Sequence, residues 1–241
     1  MNQTRSVGMA LSLALLACSA PSSAQTAEAL AFFKDVNTKT PAPPRDMLSA
    51  LLTDAFEQAH RMNPQICVPS SIAMSDVKPA TADASVWAGI RNGQLKNAWT
   101  VRADMQGCPV TFANYIVLRF SAEPTGKPAF REIISSRGTT HAGFSLSKDA
   151  TMGAMGAVAA NAEKITPNGQ PCTEQPVFGI REMVDDRKAG PDIYGVRFTG
   201  AWTEKWHFQL CAHDIAVPIT FTADGQGGAY YHTDVRAVEV R

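Results

Sequence analysis

The sequence predicts an α+β protein of two tandem repeats, each a helix packed on an antiparallel sheet of about four strands, with one disulfide per repeat. Three observations carry that prediction. First, a pattern in the C-terminal half recurs upstream. Ala98-Trp99-Thr100 precedes Cys108 as Ala201-Trp202-Thr203 precedes Cys211, with nine positions from Trp to Cys in both. Asn63-Pro64-Gln65-Ile66-Cys67 matches Asn168-Gly169-Gln170-Pro171-Cys172 at the same spacing. Self-similarity of this kind marks duplication of one supersecondary unit. Second, the stretches around both tryptophans alternate apolar and polar residues, the period of a half-buried strand. Third, each block opens with apolar residues at helical spacing.

The elements follow in order. Thr26 to Val36 reads as a short helix with Leu30 and Phe33 on one side. Asn37 to Arg45 is a proline-rich spacer, so this first helix is expected to pack loosely. Asp46 is the expected N-cap of a second helix. That helix carries Leu48, Leu51, Leu52, Ala55, Phe56 and Ala59 and ends near Asn63-Pro64. Val86 to Arg91 reads as a strand, Asn92-Gly93 as a hairpin turn and Gln94 to Gln106 as the returning strand. Ile116–Phe120 and Phe130–Ile134 are the next strands, joined by the turn residues Glu123-Pro124-Thr125-Gly126. Asp149 to Ile165 is the helix of the second repeat. Val177–Val184, Ile193–Leu210, Ile215–Phe221 and Ala229–Val240 are its strands. The domain expectation is a leader at 1–24, a short helix and spacer at 25–45, a first repeat at 46–140 and a second at 141–241.

The leader has the character of a signal peptide. Arg5 is its only charge, Val7 to Ala17 is apolar but too short to span a bilayer, and Ser22-Ser23-Ala24 supplies small residues for cleavage before Gln25. Leu15-Leu16-Ala17-Cys18 offers an alternative, in which Cys18 is lipidated and anchors an outer-membrane lipoprotein. Either route delivers the chain to the periplasm or beyond. No later stretch is apolar enough to span a membrane. Four cysteines remain after the leader, Cys67, Cys108, Cys172 and Cys211, and an even count in an oxidising compartment reads as two disulfides. The repeat selects the pairing Cys67–Cys108 and Cys172–Cys211. Basic and acidic residues balance at 22 each, so no nucleic-acid partner is expected.

The candidate chemistry is sparse. His207, His213 and His232 crowd the C-terminal block. If Leu210 faces Ile215 and Phe221 faces Ala229, then His207 and His232 both face Pro218, with alpha carbons about 9–10 Å apart. Lys205, Asp234 and Arg236 share their polar face, which makes Lys205, His207, His232, Asp234 and Arg236 the candidate binding face. A third metal ligand is lacking, and no cofactor is expected. Asp224-Gly225-Gln226-Gly227-Gly228 lacks the later acidic ligands of a calcium loop and reads as a hairpin turn. Trp99 and Trp202 read as core residues. The serines around His141 form neither a Gly-x-Ser-x-Gly elbow nor a Ser-x-x-Lys pair, and phosphate-binding glycine loops are absent.

Trp202-x-x-x-Trp206, Cys211, Val217-x-Ile219-x-Phe221 and Asp224-Gly225-x-Gly227-Gly228 together resemble a segment of uncharacterised secreted proteins and lipoproteins of proteobacteria. The resemblance covers about the last forty residues and, with departures, the first repeat, which has Ala103 in place of the second Trp. It implies export but no particular activity. Two tandem α+β units with one disulfide each are also similar in architecture to the β-lactamase inhibitor protein, without a shared motif. The expected function is a non-enzymatic envelope or periplasmic binding protein, whose partner is another envelope protein met on a sheet face or between the repeats. The alternative is a periplasmic hydrolase or metal-dependent enzyme using His207, His232 and Asp234.

Overall fold

The computed structural model describes residues 23–121, 129–165 and 172–241. Most of the expected leader, Cys18 included, and the Glu123–Gly126 turn lie outside these residues. The protein is α+β, with two antiparallel sheets and two disulfides. In chain order the first half contains α1 (Ser23–Lys39), α2 (Arg45–Met62), β1 (Ser71–Pro79), α3 (Ala84–Arg91), β2 (Leu95–Gln106), β3 (Phe112–Phe120) and β4 (Ala129–Ser136). Its sheet runs β1-β2-β3-β4. Helix α2 buries Leu48 and Leu52, one turn apart, against Met74, Val101, Ala103, Met105, Ala113, Tyr115 and Val117. Pro44 occupies its N-cap position and Asp46 stands in the first turn without a capping bond. The helix therefore starts on a proline boundary rather than on the expected aspartate cap.

The expected strand at Val86–Arg91 is instead helix α3, and the first strand of the sheet is β1. Asp83 causes the difference. Its side chain accepts from the Ser85 amide at 3.2 Å and nucleates a helix there. Asn92-Gly93 ends that helix, with Gly93 at φ +77°, instead of turning a hairpin.

The second half contains α4 (Phe144–Ala160), β5 (Val177–Ala189), β6 (Asp192–Ile193), β7 (Val196–Arg197), β8 (Gly200–Leu210), β9 (His213–Ala223), β10 (Ala229–Thr233) and β11 (Glu239–Val240). Its sheet runs β10-β9-β8-β5, and β11 continues along β9. Helix α4 begins five residues before the expected Asp149. It buries Ala150, Ala154, Ala157 and Val158 against Trp206, Phe208, Ile215, Val217, Ile219 and Phe221. The expected long strand from Ile193 is two elements: β6 and β7 form a separate small hairpin, and β8 starts only at Gly200. The expected strand Ala229–Val240 is likewise interrupted, by a 3-10 turn at Val235–Ala237.

Both bridges form as expected, Cys67–Cys108 with alpha carbons 5.9 Å apart and Cys172–Cys211 at 6.1 Å. Each closes a loop of similar length and contributes about 3–4 kcal/mol by the chain-entropy account. Trp99 and Trp202 are buried, the first on β2 and the second on β8.

Helix α1 does not pack loosely. Phe33 is 1% exposed and sits edge-on to Trp87, 5.3 Å away, and beside Tyr194 at 6.0 Å. Asn37 Oδ1 accepts from Thr81 and from Asn97, whose Nδ2 also reaches the Thr40 carbonyl. Tyr194 belongs to the two-residue turn of the β6–β7 hairpin, which crosses to the first half. Its carbonyl accepts from the Ala82 amide at 3.0 Å. Gly195 makes this approach possible, because a Cβ there would lie 2.8 Å from the Ala80 alpha carbon. No helix of the described residues is long and apolar enough to cross a membrane.

Candidate functional site

Strand β8 places Trp202, Glu204 and Trp206 on its buried face. A carboxylate in such a position is costly unless its lone pairs are filled. All four donors needed are present. Oε1 accepts from the Trp202 indole at 2.9 Å and the His141 amide at 2.8 Å. Oε2 accepts from the Trp206 indole at 2.8 Å and the Thr140 hydroxyl at 2.7 Å. Glu204 thus ties the connection before α4 onto the second sheet.

Arg181, on β5 opposite Trp206, is 5% exposed. Its guanidinium carbon lies 4.2 Å from the Trp206 ring centre and 5.0 Å from that of Phe178, a cation–π seat. Nη1 donates to Ser147 Oγ at 2.7 Å, while Nε is buried without a partner. Burial lowers its pKa to about 10, against the opposing pull of Glu204. The group is still charged at neutral pH. The backbone around it is laced to residues 137–139: the Arg181 amide donates to the Arg137 carbonyl and its own carbonyl accepts from Thr139, both at 2.8 Å. Gly138 stands between them at φ +85°, where a Cβ would fall 2.0 Å from the Arg181 carbonyl oxygen. Only glycine fits there.

His141 stands beside this pair. Arg197 Nη2 donates to its Nδ1 at 2.9 Å, which places the ring proton on Nε2, facing Asp186 at 3.2 Å. The ring meets Trp202 edge-on at 6.2 Å. Asp83, 2% exposed, lies on the far side of His141. One of its oxygens accepts from the Ser85 amide in the first turn of α3, the other from the Ser145 amide in the first turn of α4 at 2.7 Å. One carboxylate therefore joins the N-termini of two helices from different halves.

Arg181, His141 and Arg197 border a groove of about 280 Å³ between the halves. Lys78, Thr100 and Arg102 line it from the first half, and Arg181, Asp192 and Arg197 from the second. A smaller cavity of about 160 Å³ lies beyond His141 and Arg197, with Asp83, Ser145, Asp149 and Asp224 on its walls.

The expected C-terminal face does not converge. Leu210 faces His213 across a two-residue turn, not Ile215. His207 consequently faces Ala216 and His232 faces Thr220, four positions apart on β9. Their alpha carbons are separated by about 16 Å, from four residue rises and two interstrand steps. His207 sits between Asp214, 3.1 Å away, and Glu182, at 3.4 Å. Lys205 pairs with Glu239 at 2.8 Å, Asp234 accepts from the Arg236 amide at 3.0 Å, and His232 and Arg236 are exposed. Among the described residues no three His, Cys, Asp or Glu side chains gather at a metal-binding distance.

Glu204, Arg181, Arg197 and Asp83 stand in no motif of the sequence. One signal was there. Glu204 interrupts an otherwise apolar buried face between Trp202 and Trp206, and a charge in that place needs a reason. The chain matches no protein-family model, no curated protein and no solved structure.

Proposed function

We propose that the chain is an exported binding protein, built by duplication of one α+β unit, that holds a small ligand in the groove between its halves. The observation that carries this is the groove itself, walled by charged side chains from both halves. Ligand pockets form preferentially at such junctions, and 280 Å³ stands just below their usual range of about 300–1,000 Å³. That size favours a small molecule over the expected envelope-protein partner. Duplication is supported by the matched Trp-to-Cys spacing and by the helix that precedes a four-stranded meander in each half. Export is supported by the character of residues 1–24 and by the two disulfides.

The test is a thermal-shift screen of the oxidised chain against small acids, amines, sugars and neutral aromatics, followed by mapping of each hit on amide resonances. A hit that moves Thr100, Gly138 and Gly195 supports the reading. A screen with no stabilising compound overturns it. Intact mass from the native envelope tests the address: a chain starting at Gln25 supports a free periplasmic or secreted protein, and an acylated Cys18 supports a lipoprotein.

A further inference from the structure

We propose, resting on the binding reading above, that the groove selects a small carboxylate and that the Arg181 guanidinium takes its oxygens. Arg181 is a buried cation with no ion-pair partner among the described residues. Glu204 is the nearest candidate, but both of its oxygens are filled by four neutral donors. With Nη1 spent on Ser147 and Nε shut from solvent, Nη2 is the guanidinium nitrogen left to donate to an anion in the groove, a charge-assisted bond that also polarises the Nε–H beside it. The Glu204 charge acts on Arg181 without a hydrogen bond, and an anion entering the groove adds a hydrogen-bonded partner for it.

Arg197 adds its charge at the other wall, with no donor left open to the groove. Its two terminal nitrogens serve Gly190 and His141, and its Nε is buried without a partner. Four cations line the groove, Lys78, Arg102, Arg181 and Arg197, against the carboxylates Asp76 and Asp192. Of these, Asp192 is engaged by the Gly195 amide and Arg102 by Asp104. Val101, Ala142 and Phe144 offer an apolar wall for the body of the ligand. A carboxylate on a small apolar frame satisfies both surfaces.

Benzoate is the probe, with neutral benzamide and inorganic phosphate as controls. The full oxidised chain is titrated with each by calorimetry and by the arginine Nε–H resonances of ¹⁵N-labelled protein. Benzoate is expected to bind, to move the Nε signals of Arg181 and Arg197, and to exceed benzamide at least tenfold. Arg181→Gln is expected to weaken benzoate about tenfold to a hundredfold, the loss of one charge-assisted hydrogen-bond pair. If that variant fails to fold, Arg197→Gln and the wild-type Nε shifts decide. Phosphate binding without benzoate binding overturns the carboxylate assignment. A neutral compound that fills the groove and leaves the Nε signals in place also overturns it, while the binding reading stands. No ligand of any class removes both.

Discussion

The two halves bury their helices in opposite ways. In the first, α2 brings the bulk: Leu48 and Leu52 fill the space over a sheet face of middling residues such as Val101, Ala103 and Val117. In the second, the sheet brings it: Trp206, Phe208 and Phe221 rise towards a helix that offers Ala150, Ala154 and Ala157. Large against small fills an interior to native density whichever element is large. The halves also differ in their polar cores. Under its sheet the first holds a neutral cluster of amides and hydroxyls, Asn97, Thr81 and Asn37, and the second a charge, Glu204, while the other buried carboxylate, Asp83, sits where the halves meet. The connection between the first two strands differs as well. In the first half it is helix α3, packed on its own sheet through Val86. In the second it is the β6–β7 hairpin, which leaves its sheet and grips the first half. Two similar strand orders therefore serve different ends, and the groove lies where the second departs from the first.

Substitutions test each contrast. Glu204→Gln leaves donors facing an amide and removes the charge near Arg181, and is expected to lose about 3–5 kcal/mol in urea denaturation. Asn97→Ala in the neutral core is expected to lose about 1–3 kcal/mol. Equal losses would erase the distinction between the two polar cores. Leu52→Ala opens a cavity and is expected to cost about 2–5 kcal/mol, whereas Ala154→Leu overpacks and costs about 1–3 kcal/mol. Tolerance of leucine at position 154 would show that α4 is not held close by its alanines.

The hairpin after each second strand gives a smaller and opposed pair. Cys211 and Ala212 both adopt positive φ, 49° and 63°, where side chains are disfavoured. Ala212→Gly is expected to raise stability by about 1 kcal/mol, read as a higher melting temperature. In the first half Gly107 already occupies such a position at φ +81°, and Gly107→Ala is expected to lower it by about 1–2 kcal/mol. The smallest effect concerns acid. The Arg102 guanidinium, with Ser75, holds the Asp104 carboxyl below the ordinary aspartate range. Its contribution is complete above the unfolded-chain value of about 3.9 and is lost as pH falls from there through the lower folded value. Asp104 is 42% exposed, so the effect is at most about 1 kcal/mol. Asp104→Asn is expected to flatten the stability profile below pH 4 by that amount, measured by urea midpoints.

Much of the scaffold was legible because its signals are local. Alternation around Trp99 and Trp202 marked β2 and β8, and the cysteine spacing marked the bridges. The register after β8 was not legible, because a two-residue turn with both φ positive advertises itself through Asn-Gly, and this chain uses Cys-Ala. Helix α3 was missed for the converse reason: Asn-Gly stood where no hairpin forms, after a short apolar run whose period is ambiguous. The site was the least legible part. Asp83, His141, Arg181, Arg197 and Glu204 lie on five separate segments, and no spacing in the sequence links them. Folding alone assembles them.

Phe33 is among the first residues of the described chain, yet its seat is closed by Tyr194 and Val196, which follow much later. A ribosome delivers the helix long before it delivers the hairpin that covers it. Until residues of the β6–β7 turn emerge, Phe33 and Trp87 have one side open to water. An early-made segment thereby waits long for its shelter. A chain cut short before the hairpin would carry a sticky patch that the complete molecule hides.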